Sequence, residues 1–322
     1  MSIIPRFMAL VLLVGVLANG WADEMTIFVS PSGSDARKGG NVADSVASIG
    51  RAVRLAEVAP PRTDRVKIVC LPGTYLAQRV ETAGNPNQVP ILITSEDGGR
   101  AVFDGNGEGG TWMVLRQSGG NPANIIIDGI VVRNYVTAIS MTGDRNNSSR
   151  WAGGIEIRNN KFSHIGDIAR IGAKPSTAAI RLVNADRNVI VGNEFVHIRN
   201  DKSCALLHAI YVAHGSTNNL IEGNAFIDSC GDAIRFRDGS DNNIVRDNIF
   251  TDAWASSPVS DWFCNQDRRG DCTKGSGECP SLNNLLEANR VVSRKLPKPD
   301  IFIPWGGEPP AGCNIGQRAI IR

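Results

Sequence analysis

The sequence predicts an all-β chain wound as a right-handed parallel β-helix, and three observations predict it. Short stretches of alternating apolar residues recur through the middle of the chain. An Asn-x-Phe turn motif returns with them, and the interval between returns is about one coil long. The aligned stretches are Gly154-Ile155-Glu156-Ile157-Arg158, Ala179-Ile180-Arg181-Leu182-Val183, Ala209-Ile210-Tyr211-Val212-Ala213 and Ala233-Ile234-Arg235-Phe236-Arg237. Each alternates with period two, the mark of a strand with one buried face. The asparagine falls at 160, 193, 224, 248 and 289, in steps of 33, 31, 24 and 41 residues. A step of about two dozen residues suits one coil of a solenoid, and longer steps place loop insertions on that coil.

The elements follow in order. Residues 1–22 read as an export signal: Arg6 supplies the positive start, 7–17 the apolar core, and Gly20-Trp21-Ala22 a small-residue cleavage site. The mature chain, 23–322, is expected to be one domain, secreted or periplasmic, with no membrane anchor after cleavage. Its first part, 23–62, holds a strand and turn from Ile27 to Asp35 and then an amphipathic helix over 45–58. That helix is placed to cover the open first coil. Pro60-Pro61 ends it. The coils occupy 63–252, starting at Val66-Lys67-Ile68-Val69-Cys70-Leu71 and Pro72-Gly73-Thr74-Tyr75. In each coil the repeated asparagine sits at a tight bend, bonding to its counterpart one coil away.

The segment 253–322 loses this regularity and is expected to be a disulfide-rich end that caps the last coil or folds over the cleft. Of seven cysteines, Cys264, Cys272, Cys279 and Cys313 crowd into it. In an exported chain such crowding reads as disulfides. Cys204 and Cys230 occupy similar points in consecutive repeats and could be neighbours, with Cys70 as the unpaired, buried thiol. A net charge of +2 argues against a nucleic-acid partner. A modest basic zone does exist between Arg133 and Lys202, with eleven basic residues against six acidic ones.

Stacking the aligned strands places Ser140, Glu156, Arg181, Tyr211 and Arg235 in one outward column. Thr142, Arg158, Val183, Ala213 and Arg237 form the next. Neighbouring coils lie under about 5 Å apart. Like charges are normally kept off such positions, so arginines on either side of Tyr211 make sense if an anion lies across them. A guanidinium fork pairs with carboxylate, and a tyrosine ring can stack on a sugar. The expected partner is therefore an acidic polysaccharide. Arg181, Arg235, Glu156, Arg158, His208 and Asp232 are candidates for binding it, and His214, Tyr211 and Arg237 are candidates for chemistry. His164 and His197 lie off this face and read as structural.

The Phe28 to Asp35 opening, the helix, Leu71-Pro72-Gly73-Thr74-Tyr75 and the Asn-x-Phe coils together resemble the pectate-lyase-like right-handed β-helix superfamily. The resemblance spans roughly 27–250. It implies polysaccharide-directed chemistry, foremost β-elimination on a uronic-acid polymer. More narrowly, Ile234-Arg235-Phe236-Arg237-Asp238-Gly239 resembles the arginine-bearing strand of the alginate lyase and chondroitinase B family, which places its catalytic arginine at Arg237. That family's lysine maps near Ala213-His214. This chain has no lysine there, so His214 is the candidate replacement. Calcium, which assists many β-helix lyases, would fall to Asp238 and Asp241. The rivals are a glycoside hydrolase using Glu156, Asp232 or Asp238, a uronate epimerase, and a non-catalytic carbohydrate binder, with the protein expected to be a monomer.

Overall fold

The computed structural model describes residues 23–97, 99–107, 110–116, 123–167, 176–200, 202–265, 272, 277–293 and 299–322. The expected export signal at 1–22 lies outside them. Three parallel sheets of ten, eight and eight strands run the length of the molecule, and each coil contributes one strand to each sheet in turn. Inward Ile, Leu, Val and Phe side chains from all three sheets form a buried core running from Ile27 to Leu286.

The bends show why the coils stack. Asn160, Asn193, Asn224, Asn248 and Asn289 form a continuous ladder in which each amide Nδ2 donates to the next Oδ1 at 3.0–3.1 Å. A second ladder runs through Asn188, Asn219, Asn243 and Asn284 at 2.9–3.0 Å. In the first ladder each Asn also donates to a carbonyl of an earlier coil, as Asn224 does to Ile190 at 2.9 Å. Apart from the half-buried Asn289 these amides are almost entirely buried, so their full satisfaction is what makes burial tolerable. The left-handed backbone angle belongs to the preceding residue, Asn159, Gly192, Gly223 or Asp247, rather than to the ladder asparagine itself. Beside this ladder Phe162, Phe195, Phe226 and Phe250 stack at centroid spacings of 5.2, 5.0 and 4.9 Å.

The cap helix is shorter than the sequence suggested, spanning Ile49–Glu57. Ser48 ends it on the N-terminal side by accepting from Arg51 N at 3.1 Å. Ile49, Ala52, Val53 and Ala56 face the first coil. The coil holds the helix at both ends: the Gln78 side chain accepts from Ile49 N, and Asn85 donates to Ala56 O at 2.7 Å. The C-terminal segment carries two of the three disulfides, Cys264–Cys272 and Cys279–Cys313, while the third joins Cys204 to Cys230. Cys70 is buried and unpaired, and burial pushes its thiol up to about 12. Between its loops this segment keeps the coil rhythm, adding Val259–Trp262 and Phe302–Pro304 to one sheet and Asn284–Glu287 and Ala319–Ile321 to another.

One alignment is corrected. Ile155–Arg158 pairs with Ile125–Asp128 and Val189–Val191 in the ten-stranded sheet, not with the Arg181 and Tyr211 strands. Its true counterpart on the Tyr211 sheet is Thr137–Thr142. Both strands of this coil alternate in the same way, and the insertion between them hid which one matched. Glu156 and Arg158 therefore lie on another face, where Arg158 bonds to Asp128 and Glu156 at 2.9 Å.

Candidate active site

The sheet that carries the site stacks Thr137–Thr142, Ala178–Val183, His208–Ala213, Ile234–Arg237 and Val259–Trp262. Register puts Ser140, Arg181, Tyr211, Arg235 and Ser260 in one column, and Ala213, Arg237 and Trp262 in the next. The expected arginine–tyrosine–arginine column is therefore real. A cavity of about 820 Å³ opens over its C-terminal half, where Tyr211, Arg235 and Arg237 share the lining with His208 and Asp232. One wall is the turn Cys204–Leu206, pinned by the Cys204–Cys230 disulfide, and the opposite wall comes from Trp262, Phe263 and the loop at 304–307.

Each arginine in the cavity is held from behind by a buried acid. Arg235 donates to Asp232 Oδ2 and Ser260 Oγ, both at 2.7 Å. Asp232 Oδ1 also accepts from Ser256 N at 2.9 Å and from Ala255 N and Ser257 N at 3.3 Å. Burial opposes the Asp232 charge, but the amides of 256 and 257 and the Arg235 guanidinium together hold its carboxyl below the usual range. Asp232 is thus a support for Arg235 and for the 255–257 loop rather than a group that meets a ligand. Arg237 forks onto Glu278, with its Nε 2.9 Å from Oε2, and the same Oε2 accepts from Cys264 N at 2.7 Å. The remaining fork of Arg237, Nη1, donates to Tyr211 OH at 3.0 Å. Its guanidinium lies 4.4 Å from the Trp262 ring centroid.

Burial pushes the Tyr211 phenol up, and the adjacent Arg237 pulls it partly back. His208 stacks on Tyr211 at 5.9 Å, and its Nδ1 lies 2.8 Å from Asp232 O. A carbonyl can only accept, so the proton sits on Nδ1. Burial, aided by the Arg235 charge, lowers this imidazole to about 3, so it is neutral at any working pH.

A family model described as right handed beta helix region matches residues 101–285, more than half of the chain. The chain belongs to that family. No relative was found among curated proteins. Among solved structures, the alginate lyase from Paenibacillus sp. str. FPU-7 aligns with a TM-score of 0.58 at 14% identity, covering 92% of this chain and 95% of that one. A rhamnogalacturonan lyase aligns at 0.51 and 14% identity, over 83% and 69% of the two chains. The pectate lyase Pel9A aligns at 0.50 and 12% identity, over 84% and 63%. These likenesses show the fold, and with the family match they bear out the expected right-handed parallel β-helix.

Within this β-helix the other expected site residues lie outside the cavity lining. Arg181 keeps its register beside Tyr211, and its buried Nε has no partner among the described residues. His214 lies in the bend after its strand, in left-handed backbone, with Nδ1 2.7 Å from Asp238 Oδ2. Asp238 also meets Arg145 at 3.5 Å. His214, Asp238 and Glu278 bring donor atoms within 4.8 Å of one another, the one such group among the described residues. Its nitrogen donor suits zinc-type ions better than calcium, which takes six to eight oxygens, and guanidiniums already engage both carboxylates. Asp241 is not part of it: its Oδ1 accepts from Leu282 N at 2.7 Å. The donor set does not fit the calcium pair Asp238 and Asp241. The His164 and His197 rings lie 5.3 Å apart and tilted by 40°, away from the cavity lining, and His197 meets Asp228.

Sequence reasoning missed Glu278, Trp262, Phe263 and Trp305. Trp262 was reachable, since it continues the Ala213 and Arg237 column by one coil. Glu278 stands 41 residues from Arg237 on an insertion, with no periodic signal to reveal it.

Proposed function

We propose that this protein is an exported polysaccharide lyase that cleaves a uronic-acid polymer by β-elimination, with Tyr211 as the base. The observation that carries this reading is the 3.0 Å bond from Arg237 Nη1 to Tyr211 OH at the floor of an open cavity that Arg235 also lines. The C5 proton of a uronate becomes removable only when the adjacent carboxylate is neutralised. Arg235 keeps N–H donors beyond those given to Asp232 and Ser260, and these meet the carboxylate. Arg181, with no acid beside it among the described residues, adds positive charge along the same column.

The base must be a phenolate, and Arg237 stabilises that form by charge and by its N–H. Tyr211 takes the C5 proton, the C5–H electron pair forms the C4–C5 double bond, the C4–O bond breaks, and water protonates the departing oxygen. His214 is less suited to this step, because it lies outside the lining of the cavity that Tyr211, Arg235 and Arg237 share. A hydrolase would need two carboxylates facing the scissile bond. Asp232 and Glu278 instead stand behind arginines, with their side chains almost fully covered. The acidic polymer is the proposed partner, and the chain is expected to act as a monomer.

The test is to incubate the protein with alginate, pectate and chondroitin and follow the ultraviolet absorbance of the unsaturated product. Absorbance should rise on one of them. Tyr211→Phe should lower the rate by about 10²–10⁴-fold, the range for losing a general base, with binding retained. Reducing ends without absorbance would make the protein a hydrolase, and binding without either would make it a carbohydrate-binding protein.

A further inference from the structure

The C-terminal loop at 304–307 raises a question the catalytic groups do not answer. Trp305 lines the cavity yet is 38% exposed, unusual for the largest apolar side chain. Its backbone, by contrast, is fastened at every side. Trp305 N donates to Asp261 O at 2.7 Å, and Trp305 O accepts from Arg318 Nη2 at 2.6 Å. Arg318 Nε bonds in turn to Asp261 Oδ2 at 2.7 Å, on a carboxylate with no exposure. Asn265 Nδ2 reaches Gly306 O at 3.2 Å and Glu308 O at 2.9 Å. Gly306, at φ 98°, lies so close to the Phe263 ring that a Cβ there would come within 2.6 Å of it. Arg318 also packs over the same ring at 5.4 Å.

We infer that Trp305 is a preformed stacking platform for a sugar ring of the polymer next to the uronate held by Arg235, and that Arg318 is the residue that positions it. An exposed tryptophan on a loose loop loses affinity to the cost of ordering that loop. Here the ordering is complete before a ligand arrives. The flat indole suits the C–H face of a pyranose, while the polar edge of the same sugar turns toward the arginines. The specificity of the site is thus set in part by a segment more than sixty residues beyond Arg237 in sequence. This inference rests on the reading of the cavity as a uronate site.

The experiment measures binding in the Tyr211→Phe background, in which turnover is slowed enough for titration, using short oligosaccharides of mannuronate, guluronate and galacturonate. Titration is followed by calorimetry and by tryptophan fluorescence. Adding Trp305→Ala should weaken binding about ten-fold or more and remove most of the fluorescence change, while Trp305→Phe restores much of the affinity. With Tyr211 intact, Trp305→Ala should raise KM and leave kcat near its starting value, and Arg318→Lys should show the same split in smaller measure. Unchanged affinity in Trp305→Ala, or a loss of kcat without a change in KM, would overturn the platform and leave the lyase reading standing. Weakened binding in Trp305→Ala with no turnover of any polymer by the unmodified protein would sink the lyase reading and keep the platform. Failure of every oligosaccharide to bind would sink both.

Discussion

Two faces of the same coils use ionic and polar groups in opposite ways. On the ten-stranded sheet, arginines pair with acids across the surface and both partners stay wet. Arg158 with Asp128 and Arg246 with Glu222 have side chains 35% and 23%, and 40% and 28%, exposed. On the site sheet the acid is withdrawn: Asp232 and Glu278 are 2% and 5% exposed behind Arg235 and Arg237 at 14% and 25%. Surface pairs contribute at most about 1 kcal/mol. A buried acid has no such latitude, since its charge must be matched on site. The difference teaches that the site acids fix arginine geometry, whereas the surface pairs only decorate a solvated face. The bends repeat the lesson, because identical residues stack there, Asn on Asn and Phe on Phe. The site column changes at each step through Ser140, Arg181, Tyr211, Arg235 and Ser260.

Substitutions can break this contrast. The largest expected loss of stability is Phe226→Ala in the aromatic stack, about 3–5 kcal/mol, read by chemical denaturation, with turnover per folded molecule unchanged. Asn224→Ala should follow at about 2–4 kcal/mol, because it strips partners from buried amides on both neighbouring coils. Glu278→Gln reverses the pattern: turnover should collapse as Arg237 loses its anchor, while melting shifts less than in either ladder variant. If Glu278→Gln retains full activity, the acid is not what aims Arg237.

Two pH effects sharpen the comparison further. His208 is lowered to about 3 in the folded state against about 6.5 in the unfolded chain. The unfolded chain therefore binds a proton that the folded state refuses between those values, and stability falls as pH drops through that window, by about 1.4 kcal/mol per pH unit. His208→Gln should flatten this acid limb in denaturation series at pH 4 to 7. For turnover, Tyr211 lies above the usual tyrosine range, so kcat/KM should climb into alkaline pH. Arg237→Ala removes the downward pull and should push that limb higher still. The smallest effect is expected from Arg158→Ala, within about 1 kcal/mol in stability and with no change in turnover.

The coils were legible because their demands repeat: the central turns share a buried Asn, a stacked Phe and alternating apolar residues, and repetition survives loop insertions. The Arg181, Tyr211 and Arg235 column was legible for the same reason, being the outward half of that alternation. Glu156 and Arg158 were misplaced because all strands of a coil share one alternation, so residues alone do not say which sheet a strand joins. His214 stands in the bend after Ala213 and bonds to Asp238, and neither feature shows in the sequence. Glu278 was silent because it sits on an insertion, and Trp305 because it follows a strand outside the recognised repeats; both are placed by tertiary bonds such as Glu278 to Cys264 N and Arg318 to Trp305 O. Periodicity carries no information about those bonds.

The placement of Trp305 directly after the last strand of the site sheet has a consequence for how the protein fails. A solenoid is held by nearest neighbours and frays from its ends. One end is stoppered by the helix Ile49–Glu57, but the other end carries the Phe302–Pro304 strand and the tryptophan that follows it. Warming should therefore blunt substrate capture while most coils remain wound, so that inactivation runs ahead of melting and is reversible on cooling for as long as the Asn ladder holds.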